Sequence, residues 1–288
     1  MHLPPYLPHI ILPLLLAATL LTACDKGEDT TPTPPTLVIE GWIEDGDFPV
    51  VMVGESRQMG SANQSADEYM VRWAKVTISN GTQTAILTGR YDPQLFPPYK
   101  YTTYNFRGEA GKTYTLTAEY RQHKVTATTT IPDPVRLLSA QAVRLQGCDS
   151  LYYITAHFKD NPHTQDYYGL FSQVEGKDCG YLLSFPGIYA DGVLGTDAWV
   201  DVFRGNSLQQ ELEGTKMNDY YRAGDVVNVK LRHMDRTSFG FWQSFTAQSN
   251  LAGNLFFPYQ HNLASNIQGG KGYWCGYGAS SLRVKVGN

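Results

Sequence analysis

The 288-residue sequence has little cysteine and no run of basic residues. Its four cysteines include no Cys-x-x-Cys pair, which argues against a zinc knuckle. With 23 Lys and Arg against 27 Asp and Glu, the formal net charge is −4, so we expect no nucleic-acid partner. No apolar run reaches the ~20 residues of a membrane-spanning helix. We therefore expect membrane attachment only through the N-terminus.

The usual catalytic signatures are also missing. The sequence contains no His-Glu-x-x-His, Gly-x-Ser-x-Gly, P-loop or Gly-x-Gly-x-x-Gly motif. We therefore expect a non-enzymatic protein that carries no cofactor.

The N-terminal segment has the pattern of a lipoprotein signal peptide. Residues 10–21 are apolar apart from Thr19 and run into Leu21-Thr22-Ala23-Cys24. A short apolar stretch before a small residue is typical of a secretory signal and its cleavage site. We expect residues 1–23 to be removed and Cys24 to be lipidated, which would anchor the chain because each buried methylene contributes ~0.8 kcal/mol.

The residues after the lipidated cysteine predict a tether. Residues 24–36 are acidic at first and then alternate between Thr and Pro. Proline-rich segments stay extended and do not pack into a core. This stretch is expected to hold the folded part away from the membrane.

Alternating apolar residues predict an N-terminal β domain over residues 37–133. Residues 113–120 place apolar side chains on one face, and residues 125–131 repeat the pattern. Asn80-Gly81 predicts a hairpin with a two-residue turn. We expect an immunoglobulin-like or transthyretin-like β-sandwich, which ends where prolines flank Asp133.

A C-terminal antiparallel β domain is predicted over residues 134–288. Residues 151–159 and 227–231 show the clearest alternation. Less regular patterns predict further strands over residues 167–174, 181–185, 199–203, 273–277 and 281–286.

One short aromatic helix is predicted over residues 238–249 of the second domain. Phe241 and Phe245 lie four residues apart and would form one stripe. Either Asp235 or Thr237 is expected to cap its N-terminus.

Three cysteines remain once Cys24 is lipidated, namely Cys148, Cys179 and Cys275. In an oxidising compartment, two of them would form a disulfide of unknown pairing and one would stay free. Three buried unpaired thiols fit the sequence equally well, because a free cysteine behaves as a small apolar residue.

Two histidines come nearest to a metal site, His157 and His163, with Asp160 and Asp166 as further candidate ligands. Their spacing matches no ligand motif, so we expect solvated histidines and no metal. His233 lies in phase with the apolar residues of its strand and is expected to be hydrogen-bonded at the core or its rim.

A tyrosine-rich segment is the candidate contact patch. Most of the 19 tyrosines are expected to fill the core or reflect β-propensity. Residues 95–104 form a predicted loop, however, and exposed aromatic side chains there would anchor a protein partner or stack on sugars. The residues of this candidate patch are Phe96, Tyr99, Tyr101 and Tyr104.

Several of these segments resemble a known family. They are residues 37–43, 111–116, 130–134, Phe241-Trp242, Gly253-Asn254, 266–270 and 272–277. Together they resemble domain-of-unknown-function family 4249, outer-membrane lipoproteins of Bacteroidota. The resemblance implies a lipid-anchored protein of the outer membrane, often encoded beside a TonB-dependent receptor. It supplies no catalytic residues. The acidic residues just after Cys24 resemble the surface-export signal of lipoproteins in that phylum, so we expect the protein to face the cell surface. Asp29-Thr30-Thr31 resembles the O-glycosylation sequence of the same phylum, so Thr30 is a candidate modification site.

The expected function combines these inferences. We expect a non-enzymatic accessory or binding partner of a TonB-dependent receptor in nutrient capture or import. The alternatives are a surface adhesive or structural lipoprotein and, with the least support, an extracytoplasmic hydrolase.

Overall fold

The computed structural model describes residues 35–56, 70–93, 95, 98–205, 220–251 and 263–287. This part of the chain is mostly β, with one short helix near the C-terminus, as the sequence predicts. The helix, α1, spans Arg236–Leu251. The strands are β1 Leu37–Glu44, β2 Val50–Glu55, β3 Lys75–Ser79, β4 Thr84–Tyr91, β5 Tyr99–Thr102, β6 Thr113–Tyr120, β7 His123–Thr130, β8 Leu137–Arg144, β9 Leu151–Lys159, β10 Tyr167–Val174, β11 Leu182–Tyr189, β12 Asp197–Val202, β13 Tyr221–Arg222, β14 Val226–Met234 and β15 Lys271–Lys285.

The strands form two sheets. Sheet 1 has eleven strands in the order β11-β10-β14-β15-β1-β2-β5-β4-β3-β6-β7. Sheet 2 has four strands, with β9 between β8 on one side and β12 and β13 on the other. Among the described strands, β1 and β15 pair in parallel, from Val38 opposite Lys271 to Glu44 opposite Tyr277, whereas the other pairs are antiparallel. The parallel pair joins the first and the last of the described strands.

The first core lies among the strands of the N-terminal half. The predicted alternation of β6 and β7 is confirmed, because Tyr114, Leu116 and Ala118 are buried opposite Val125 and Ala127. Burying apolar surface contributes about 25 cal/mol per Å². Two residues from near the C-terminus, Ile267 and Trp274, also belong to this core.

The second core lies between sheet 2 and the β10–β14–β15 part of sheet 1. Its best-defined members are Tyr152, Ile154, Ala156 and Phe158, which alternate along β9 as predicted. Val227, Val229 and Leu231 of β14 face them from sheet 1. The domain boundary at residues 133–134 stays a prediction, since sheet 1 continues from one half of the chain to the other.

Helix α1 packs on sheet 1 and has the predicted cap. The backbone N–H of Ser238 donates to Oδ1 of Asp235 over 2.7 Å, which satisfies one of the helix's free N–H groups. Phe241 is buried with its ring centroid 4.2 Å from that of Tyr273 on β15. Phe245, predicted to share this stripe, is 40% exposed.

Two local predictions are wrong. Ser79 pairs with Thr84, so the β3–β4 hairpin has a four-residue loop rather than the two-residue Asn80-Gly81 turn. The side-chain oxygen of Asn80 accepts hydrogen bonds from the N–H groups of Thr82 and Gln83, which stabilises the longer loop. The two predicted strands at the C-terminus are one continuous strand, β15.

Glycine at position 272 permits the parallel β1–β15 pairing. Gly272 has a φ of +105°, and a Cβ there would lie 1.8 Å from the carbonyl oxygen of Ile39. Nearby, the Asn266 side chain pairs with the backbone of Trp274, accepting from its N–H and donating to its carbonyl oxygen. These contacts explain the unusual Asn and Gly content of residues 266–272.

Candidate functional site

The outer face of sheet 2 carries aromatic and polar side chains in alternate rows. The side chains of β9 that point away from the second core pair across the sheet with those of β12. The first row is Asp197 with Lys159, the second Trp199 with His157, and the third Asp201 with Thr155. A fourth row follows, in which Phe203 stacks on Tyr153 with ring centroids 5.5 Å apart.

Trp199 stacks on a neighbouring ring of this face. Its indole stacks on the His157 imidazole with centroids 4.1 Å apart and planes 6° from parallel, yet 56% of the residue is exposed. His157 Nε2 lies 2.7 Å from Oδ1 of Asp197, and this hydrogen bond holds the pKa of the Asp197 carboxyl below its usual value. Because one indole face is covered by the imidazole, the other is presented to solvent in a fixed orientation.

The fourth row extends this aromatic surface. Phe203 exchanges backbone hydrogen bonds with Phe185, which is 59% exposed, and its ring lies edge-on to Tyr220. Trp199 and Phe203 are four residues apart along one strand direction, or about 13 Å at ~3.3 Å per residue. Asp201 lies between them and accepts a hydrogen bond from Thr155 over 2.9 Å.

A second exposed aromatic cluster, the Tyr104 tip, lies in the N-terminal half and consists of Phe48, Arg90, Tyr104 and Arg107. The rings of Phe48 and Tyr104 meet edge-to-face with centroids 4.9 Å apart. The Arg107 guanidinium lies 3.9 Å from the Phe48 centroid, and that of Arg90 lies 5.1 Å from the Tyr104 centroid. Neither arginine forms an ion pair within the described residues. The tip therefore presents two aromatic rings and two guanidinium groups, with the exposed carboxylate of Asp47 beside Phe48.

Only some residues of the predicted contact patch lie on the surface. Tyr104 is 56% exposed, Tyr99 is half-buried, and Phe96 lies outside the described residues. Tyr101 is buried: its hydroxyl donates to the carbonyl oxygen of Val71, and burial raises its pKa to about 12. The predicted loop is wrong here, because Tyr99–Thr102 forms strand β5 and its alternation turns Tyr101 into the first core.

The candidate metal ligands do not converge. His157 contacts Asp197, while the carboxylates of Asp160 and Asp166 both accept from the buried hydroxyl of Tyr168. No group of three metal-ligating side chains occurs among residues that the structure describes. His233 lies at the rim of the core as predicted, with Nδ1 2.7 Å from the carbonyl oxygen of Asp133.

The cysteines lie in different surroundings. Cys148 and Cys275 carry free thiols, so no disulfide joins any pair among the three described cysteines, and the expectation of one such bridge is wrong. Cys275 is fully buried beneath α1, whereas Cys148 and Cys179 are half-buried. The lipidation site Cys24 and the glycosylation candidate Thr30 lie outside the described residues.

The family model described as a domain of unknown function, DUF4249, matches residues 26–283. The chain belongs to the DUF4249 family. Among curated proteins, no relative matches the sequence. Within the described part of this DUF4249 chain, no helix is both long and apolar enough to cross a bilayer.

One feature of the DUF4249 chain that sequence reasoning missed is a buried group of charges. Lys230 and Arg232 of β14 both bind the Glu44 carboxylate of β1, over 2.6 and 2.8 Å. Burial opposes ionisation of Glu44, but the two cations more than offset it and lower its pKa. The Arg232 guanidinium lies 4.3 Å from the Phe171 ring centroid and 4.6 Å from that of Tyr277. These charges contact each other across three strands, so the group ties β14 to β1 rather than facing a ligand.

Proposed function

We propose that this chain is an outer-membrane lipoprotein, anchored through lipid on Cys24, that binds a TonB-dependent receptor as a non-enzymatic accessory in nutrient capture or import. The Leu-Thr-Ala-Cys sequence after an apolar run supports the anchor. The Thr/Pro tether that follows supports display of the folded part away from the membrane, on the cell surface. Membership of the DUF4249 family is consistent with this proposal.

The observation that carries the binding role is the Tyr104 tip. Tyrosine and arginine are enriched among the few residues that dominate the energetics of protein–protein interfaces, tyrosine through its large buried area and arginine through its several hydrogen-bond donors. Here the Tyr104 ring is already fixed between Phe48 and Arg90, and the Arg107 Nη1 donates to the carbonyl oxygen of Gly46 over 2.6 Å. Such a preformed surface loses less entropy on binding than a flexible one. The Arg90 and Arg107 guanidinium groups favour a partner surface that presents carboxylates opposite them.

Co-purification tests this function. The tagged full chain would be purified from detergent-solubilised outer membranes after mild crosslinking, and its partners identified by mass spectrometry. We expect a TonB-dependent receptor in stoichiometric amount. A preparation without any receptor would contradict the accessory role and favour a free-standing adhesive or structural protein.

A further inference from the structure

The outer face of sheet 2 has a pattern that the receptor-binding role does not explain. Two aromatic rows, Trp199 with His157 and Phe203 with Tyr153, flank a polar row of Asp201 and Thr155. Trp199 is more than half exposed, as is Phe185 of β11, which pairs with Phe203 from the edge of sheet 1, so the exposed rings form a group rather than lying singly. The four rows share no residue with the Tyr104 tip.

The chemistry of these rows matches that of a sugar. The C–H face of a pyranose ring is apolar and packs against a flat aromatic ring, whereas its hydroxyl groups donate hydrogen bonds at the rim. Trp199 supplies the flat ring, and its orientation is fixed by the His157 stack. Asp197 and Asp201 place carboxylate acceptors on either side of it along β12.

The spacing indicates a chain rather than a single sugar. The aromatic rows recur after four residues, about 13 Å along the strand at ~3.3 Å per residue. A single pyranose ring cannot contact both rows at that separation, whereas consecutive units of a polysaccharide can. The polar row between them would then receive the hydroxyl groups of the units that connect the two aromatic contacts.

The charge of the face favours a neutral polysaccharide over an anionic one. Asp197 and Asp201 are exposed carboxylates, and the cation in register with Asp197 is Lys159. The hydrogen bond to His157 lowers the pKa of the Asp197 carboxyl further, which favours its ionised form. Uronic acid or sulfate groups would be repelled by these carboxylates. A neutral polymer meets no such penalty.

We propose that the outer face of sheet 2 binds a neutral polysaccharide chain, with Trp199 and Phe203 as stacking platforms and Asp197 and Asp201 as hydroxyl acceptors. The site is independent of the receptor-binding role, because it uses a separate set of residues.

Affinity electrophoresis of the purified full chain tests this site. Native gels would contain a neutral polymer, namely dextran, pullulan, xyloglucan, galactomannan or arabinoxylan, or the anionic polymer polygalacturonate. We expect at least one neutral polymer to retard the wild-type protein and polygalacturonate to leave its mobility unchanged. Trp199→Ala should weaken retardation at least tenfold, measured as the polymer concentration that gives half-maximal retardation.

The matched control is Trp73→Ala. Trp73 is 86% exposed but lies in the segment before β3, outside sheet 2, so its removal should leave retardation unchanged. Circular dichroism would verify that both variants fold. The proposal is overturned if no neutral polymer retards the wild-type protein, if only polygalacturonate does, or if the two tryptophan variants behave alike. Dimerisation that Trp199→Ala abolishes, without polymer binding, would instead identify the face as an interface between copies of the chain.

Discussion

Arg232 and Glu44 form an ion pair almost wholly out of contact with solvent, with 7% and 5% of their side chains exposed. Removing one partner of a buried pair leaves the other charge without compensation and typically costs about 3–5 kcal/mol. We therefore expect Glu44→Ala to lower the free energy of unfolding by about 3 kcal/mol or more, measured by urea denaturation. The matched control is Glu175→Ala, which breaks an exposed pair with Arg283 and should hardly move the unfolding midpoint. Equal effects of the two variants would contradict this account of the buried pair.

The same carboxyl group predicts how stability depends on pH. The folded pKa of Glu44 lies below its ordinary value of 4.5, so the unfolded state binds more protons between the two values. This contribution to stability is present above about pH 4.5 and is lost as pH falls through the folded pKa. We expect Glu44→Gln to flatten the loss of stability in acid, measured by urea unfolding at a series of pH values.

The pKa of Glu40 is shifted in the opposite direction to that of Glu44. Burial raises its pKa, despite the hydrogen bond that the Tyr273 hydroxyl donates to it over 2.7 Å. Ionisation of Glu40 therefore opposes folding as pH rises through its folded pKa. The Glu40→Gln variant should become more stable than the wild-type protein as pH rises from 4.5 to that folded pKa. A gain that does not grow with pH would show that the Glu40 carboxyl does not titrate as its burial implies.

Two thiols should differ in reactivity. Burial raises the pKa of Cys275 to about 12, whereas hydrogen bonds from the Ser150 backbone and hydroxyl lower the pKa of Cys148. Because the thiolate is the reactive form, iodoacetamide should label Cys148 of the native protein well before Cys275. Peptide mass spectrometry over time measures both rates, with Cys148→Ser as the control that removes the fast signal. Faster labelling of Cys275 would mean that the helix does not cover it.

Gly272 should tolerate no side chain. Alanine there would have to adopt a left-handed conformation and would clash with the Ile39 carbonyl, so we expect a loss of about 3 kcal/mol or more. Gly240→Ala is the contrasting variant, because Gly240 lies in α1 with no atom within 4 Å of an added Cβ. It should gain up to about 1 kcal/mol from helix propensity. Thermal unfolding measures both, and a stable Gly272→Ala protein would contradict the close β1–β15 approach.

Strands with strict alternation could be predicted from the sequence. The bounds of β6 and β9 match the predictions, because apolar side chains at every second position can be buried only on one face of a strand. In contrast, β8 was missed, since its outward and inward positions carry similar small or polar residues such as Ser139, Ala140 and Gln141. The glycines of β15 at positions 272, 276 and 278 each allow another backbone segment to approach closely, which the sequence pattern alone did not indicate.

Contacts between residues that lie far apart in the sequence could not be predicted from the pattern of apolar and polar residues. Lys230 and Arg232 alternate with apolar residues as solvent-exposed side chains would, and only the packing of β1, β15 and the surrounding aromatic rings buries them. The stack of Trp199 on His157 likewise depends on which residues face each other across β9 and β12. Residues 95–104 were expected to be exposed because the sequence predicts a loop there. Instead, strand pairing with β2 and β4 buries Tyr101.

The most direct test of the receptor-binding account places a photo-crosslinking amino acid at position 104 of the full chain in living cells. Tyr91 is the matched control, since it is 67% exposed and points to the opposite face of β4 from Arg90. We predict a covalent adduct with a TonB-dependent receptor from position 104 and none from position 91. No receptor adduct from position 104, or equal adducts from both positions, would contradict the role of the Tyr104 tip.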